Sequence, residues 1–136
     1  MRRMNLKLDN PDTVSPPLGR YSHSVETPAC RGLVFVSGQV GVKPDGTLAG
    51  PGIAEQADQV YANIVAVLAA KGVPASDIVK LTTFLTEDDP DGSVRAARVK
   101  HLGEHRPAST AVYVSRLVDP AWKIEIDAVA LAPEAA

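Results

Sequence analysis

Cysteine is almost missing from this chain: Cys30 is the only one among 136 residues. That excludes an intrachain disulfide and a cysteine-built metal cluster, and it fits a reducing, cytoplasmic setting. A basic excess is missing as well. With 14 Lys and Arg against 16 Asp and Glu, the net charge is −2 and no broad positive field meets a phosphate backbone, so nucleic acid is not the expected partner. No apolar run approaches the roughly 18 residues that a membrane span needs, which predicts a soluble protein without a membrane partner. The basic opening "MRRMNLKLDNP" lacks the apolar stretch of a signal peptide behind it, and residues 1–16 read as a loose or lightly docked N-terminal segment.

Several chemistries lack their motifs. No Gly-x-Ser-x-Gly run supplies a nucleophile elbow, and "SGQVG" is too short and too embedded in a strand to cradle phosphate. His23, His101 and His105 make no metal-ligand set, because the helix expected around the last two stops at Gly103 between them. No metal and no cofactor are expected.

What is present is ordinary globular material, 45% hydrophobic and 22% charged, enough for a single domain over residues 1–136. Five β-rich runs are separated by Pro, Gly and Asp: "YSHSVET", "GLVFVSGQVGV", "DIVKLTTFLT", "TAVYVSRL" and "AWKIEIDAVAL". Between the second and third, Ala57, Val60, Ile64, Val67 and Leu68 recur at helical spacing, and Gly72 with Pro74 supplies a stop. A second helix is expected over "DGSVRAARVKHLGEH", with Val99 and Leu102 on a thin apolar stripe and Gly103 ending it. The order strand, strand, helix, strand, helix, strand, strand predicts an α/β (α+β) fold, a mixed β-sheet with two helices packed on one face. "LVFV" and "AVYV" are apolar at successive positions, so both sheet faces call for burial and no third helix covers the second one. Self-association is the expected cover, with ligand clefts at the seams.

Six stretches together, "GRYSHSV", "LVFVSGQVGVKPDGTL", "QADQVYANIVAVLAAKG", "DIVKLTTFLT", "RPASTAVYV" and "KIEIDAVAL", resemble the YjgF/Rid family, the reactive-intermediate deaminases. The resemblance runs from about Pro17 to Leu131. It implies a chorismate-mutase-like fold assembled as a homotrimer, with a small-molecule ligand in each cleft between subunits. It also implies cofactor-independent hydrolysis of small imines or enamines to 2-keto acids and ammonia.

One departure stands out. A planar guanidinium holds a substrate carboxylate through two parallel charge-assisted bonds, and the resemblance places that arginine where this chain has Ser109, in "PAST". A neutral hydroxyl contributes about 0.5–1.5 kcal/mol, against about 1.5–3 kcal/mol for a bond to a charged group. Arg106 and Arg116 are odd steps from Ser109 and leave a regular strand by its other face. Arg95, four and seven residues before Val99 and Leu102, shares their stripe and is the expected replacement cation, the alternative being an arginine that simply reaches solvent.

Apart from His23, which rests on its spacing from Tyr21, the other candidates come from the same resemblance. Glu125, on the charged side of "KIEID", matches a carboxylate that positions the attacking water, or else just meets solvent. Tyr21 walls the cleft and donates to a ligand, or packs at a strand start. Ser37 and Gly38 expose backbone donors to a ligand, or form a β-bulge. His23, two after Tyr21, points into the same cleft if both lie on one strand. Ala111 stands where relatives often carry Cys, arguing against thiol chemistry. The competing functions are a non-catalytic, metabolite-binding or regulatory trimer and, least favoured by the charge balance, an endoribonuclease.

Overall fold

The helical spacing of Ala57, Val60, Ile64 and Leu68 produces the longest element, α1 (Ile53–Ala69), and all four side chains are fully buried. The structure, a computed structural model, describes residues 6–29 and 32–133. Cys30 and the first five residues of the basic opening lie outside them. Val67, expected on the same stripe, is exposed, because Tyr61 and Gln56 take the inward positions instead. Gly72 ends the helix with φ 71°, turning the chain so that Val73 N–H reaches Leu68 O at 2.9 Å.

Four strands form the main sheet: β3 (Leu33–Val40), β4 (Ile78–Leu85), β5 (Ala108–Tyr113) and β6 (Ile124–Leu131), in the order β3-β6-β4-β5. Only β4 and β5 run parallel, so the sheet is mixed as expected. The alternation of β6 puts Ile124, Ile126, Ala128 and Ala130 under α1, where they are buried, and turns Glu125, Asp127 and Val129 to the other side. The second helix, α2 (Ser93–Leu102), lies over the same face of the sheet and packs most closely on α1 and on a short 3₁₀ turn at Ala75–Asp77. A gap is left between α2 and the β4–β5 edge.

Gly103 stops α2 at φ 64° and ψ −138°, a backbone conformation open to glycine alone. Gly103→Ala is therefore expected to cost about 1–3 kcal/mol, read as a lower urea midpoint with an unchanged slope.

Among the described residues, no helix covers the far side of the sheet. Phe35 is 75% exposed there, and Leu33 and Val112 are exposed as well. Phe35 pairs with Val129, and Phe84 sits between Val112 and Glu125 across the strands, so the apolar groups share one face with the Glu125 row.

The N-terminal part differs from its expectation. Within the stretch read as loosely docked, β1 (Lys7–Asp9) pairs antiparallel with β2 (Ser24–Glu26). The strand expected over "YSHSVET" shrinks to β2 because the residues before it bond elsewhere. Ser22 Oγ donates to Arg106 O at 2.6 Å, and His23 N–H to Asn10 Oδ1 at 2.8 Å. Among the described residues, no helix is long and apolar enough to cross a membrane.

Candidate functional site

The gap between α2 and the sheet is a cleft of about 300 Å³. Its sheet wall carries Thr83 and Leu85 of β4 and Ser109 and Ala111 of β5, paired in register as Thr83 with Ala111 and Leu81 with Ser109. Its helix wall carries Val94, Arg95 and Arg98, and Tyr61 of α1 closes the floor. Gly19 and Arg20 form the rim, held there because Ser22 N–H bonds Pro107 O at 3.2 Å just before β5 begins. Asp89 starts α2: its two carboxylate oxygens accept the N–H groups of Ser93 at 3.0 Å and Val94 at 2.8 Å, offsetting the positive end of the helix.

Arg98 is the residue in contact with Ser109. Its Nη2 donates to Ser109 Oγ at 2.6 Å and its Nη1 to Arg20 O at 2.9 Å. Both acceptors are neutral, and the Arg98 Nε is buried with no hydrogen-bond partner among the described residues. Leaving a buried donor of a charged group unpaired costs at least about 1–3 kcal/mol. The Tyr61 phenol lies beside this guanidinium. Burial pushes its pKa above the ordinary tyrosine value, while the nearby positive charge pulls it the other way. The Tyr61 ring stacks on His101, with centroids 6.5 Å apart, and His101 Nε2 bonds Asp58 Oδ1 at 2.9 Å.

Sequence reasoning missed Arg98, Tyr61 and Thr83. The stripe taken for α2, Arg95–Val99–Leu102, is rotated: Val94, Ala97, Arg98 and Leu102 turn inward, Val99 is exposed, and Arg95 lines the cleft from its exposed side. A signal was there, since Arg98 stands four residues from both Val94 and Leu102 and so is the charged member of an apolar stripe.

The remaining candidates fall into two further groups in the single chain. Ser37 and Gly38 form a bulge, seen as a register shift between Val36 and Gln39, and Gln39 Nε2 donates to Ser37 O at 3.1 Å. The Glu125 carboxylate lies over Gly38, where a Cβ would collide with it. Gly38 and Glu125 thus meet, with Ser37 beside them in the bulge, but Glu125 leaves the sheet by the face opposite Ser109. Its cross-strand neighbour is Phe84, whereas Ser109 pairs with the buried Leu81. Tyr21 and His23 make the third group. Their rings are 5.6 Å apart edge to face, Tyr21 Oη accepts Leu18 N–H at 3.1 Å, and His23 Nε2 bonds Ser15 O at 2.7 Å. Neither lines the cleft of the single chain, and neither is on a strand, which corrects the expectation that the two share one strand face. His105 bonds Ile78 O at 2.7 Å, away from His101 and its aspartate.

Comparison with known proteins supplies the lineage. A family model described as Endoribonuclease L-PSP matches residues 13–132. Protein DfrA of Myxococcus xanthus is 35% identical over 132 residues, covering 96% of this chain and 99% of its own. The 2-iminobutanoate/2-iminopropanoate deaminase of Rattus norvegicus is 32% identical over 115 residues, 84% of this chain and 81% of the rat protein. The crystal structure of YyfB from Yersinia pestis, a Rid-family protein of unknown function, aligns with a TM-score of 0.84 at 30% identity, over 94% of this chain and 99% of that one. With two helices on one face of a mixed sheet and these matches along nearly its whole length, the chain belongs to the Endoribonuclease L-PSP family, the YjgF/Rid proteins.

Proposed function

We propose that the protein is a cofactor-independent hydrolytic deaminase of small 2-imino or enamine acids, working as a cytoplasmic homotrimer. The observation that carries this reading is Arg98. A guanidinium is present in the cleft although the strand position has Ser109: Arg98 lines the hollow and is held there by Nη2 on Ser109 Oγ at 2.6 Å and Nη1 on Arg20 O at 2.9 Å, both neutral acceptors. The cation has moved from strand to helix, and the substrate carboxylate docks on Arg98. The bonds to Ser109 Oγ and Arg20 O use one hydrogen on each Nη, and the remaining Nη hydrogens are the ones a carboxylate can take. The activity of the rat relative supports the same chemistry.

The reaction needs only water. Attack on the C=N carbon gives a carbinolamine, which collapses to the C=O of a 2-keto acid as the nitrogen leaves as ammonia. Glu125 positions that water, and since it faces away from its own chain's cleft it acts on the cleft of a neighbouring copy. An RNA backbone asks for an extended basic surface, whereas a chain of net charge −2 with its arginines around a small hollow suits a small anion.

Generating 2-iminopropanoate or 2-iminobutanoate in situ and timing keto-acid release tests the proposal. Release faster than in buffer, proportional to protein, is expected. No acceleration would leave a trimer that binds and does not catalyse.

A further inference from the structure

Among the described residues three arginines line the cleft, and one of them is paired with a carboxylate. Arg20 pairs with Glu104 at 3.0 Å. Arg98 meets a hydroxyl and a carbonyl. Arg95 has no hydrogen-bond or ion-pair partner among the described residues. Asp89, the one carboxylate on the same wall, has both oxygens on backbone N–H groups at the start of α2 rather than on either guanidinium.

Arg95 and Arg98 are three residues apart on α2, where Cβ atoms lie about 5–6 Å from each other on adjacent turns of one face. Leu85, Val94 and Ala111 give the hollow between them an apolar lining. A cleft with two guanidiniums that no carboxylate pairs with directly, and an apolar middle, is complementary to a short chain with an anion at each end. A monoanion would engage Arg98 and leave the guanidinium of Arg95, at the exposed side of the cleft, without a partner.

We propose that the cleft takes a dianionic ligand, a short-chain 2-imino dicarboxylate, with Arg98 holding the carboxylate next to the reacting carbon and Arg95 reading the distal one. The imine rests on the deaminase reading; the requirement for two anionic groups rests on the two arginines alone. Arg95 is then the residue that determines specificity, and Ala111 and Leu85 carry the methylene segment.

Titration calorimetry of the full-length protein with 2-oxoglutarate and 2-oxopentanoate, stable keto acids that differ only in a carboxylate or a methyl at C5, tests this directly. The dicarboxylate is expected to bind about tenfold more tightly. Arg95→Gln should shrink that ratio below about threefold, while Arg116→Gln, whose guanidinium bonds the Leu117 and Val118 carbonyls of its own loop, should preserve it. Equal affinities, no binding of either acid at millimolar concentration, or a preference that survives Arg95→Gln would overturn the inference. Imine hydrolysis without the preference would retire the dianion site and keep the deaminase. The preference without hydrolysis would do the reverse.

Discussion

Replacing Arg98 by alanine is expected to lower kcat/KM toward a 2-imino acid by about 100-fold, mostly through KM. A factor of that size corresponds to about 2.7 kcal/mol, within what a forked pair of charged hydrogen bonds supplies at about 1.5–3 kcal/mol each. The substrate carboxylate is already charged before water attacks and stays so in the transition state. Its cation therefore binds both states alike, and its removal is felt as weaker binding rather than slower chemistry. The fold should survive, because the two groups Arg98 leaves behind, Ser109 Oγ and Arg20 O, belong to residues on the cleft wall where water can replace it. Circular dichroism and a urea midpoint within about 1 kcal/mol of the parent would confirm that. Adding Ser109→Arg to Arg98→Ala returns a guanidinium to the same hollow from the strand, and should recover a good part of the lost binding. An Arg98→Ala protein whose kcat/KM stays within about threefold of the parent would remove Arg98 from the site.

The contrast between Arg95 and Arg98 shows where sequence reasoning succeeds and where it stops. A deep apolar stripe declares its own phase: Ala57, Val60, Ile64 and Leu68 are inward in the structure as their spacing requires. α2 has only Ala97 and Leu102 fully buried, so its rotation cannot be read from hydrophobicity, and a guanidinium on the inward face looks like any surface charge. The same holds for β1 and β2, three residues each, whose pairing depends on the Ser22 and His23 bonds to distant residues rather than on any local pattern. Strand alternation did place Glu125 on the charged face of β6. What it could not supply was the register across β4, and it is this register that puts Glu125 beside Phe84 and Ser109 beside Leu81, on opposite faces of one sheet.

That opposition has a testable consequence in Phe35. If Glu125 works in the cleft of a neighbouring copy, the face it shares with Phe35 has to be the one that copies bury, and Phe35→Asp is expected to break both assembly and activity. A phenylalanine 75% exposed on a single chain gains about 1.5–3 kcal/mol when covered. A carboxylate in its place forfeits that gain and adds the cost of desolvating a charge, several kcal/mol if no cation meets it. In a closed ring each copy contributes to its seams, so the loss is repeated around the assembly. Light scattering is then expected to find single chains for the variant and trimers for the parent, with the variant's hydrolysis falling to the level of buffer. Within each chain the Arg98 cleft lies on the other side of the sheet and stays intact, so residual binding of a keto acid without turnover is the expected signature. A Phe35→Asp protein that keeps the parent's mass and rate, or a parent that already runs as a single chain and still turns over imine, would show that Glu125 does not act across a seam.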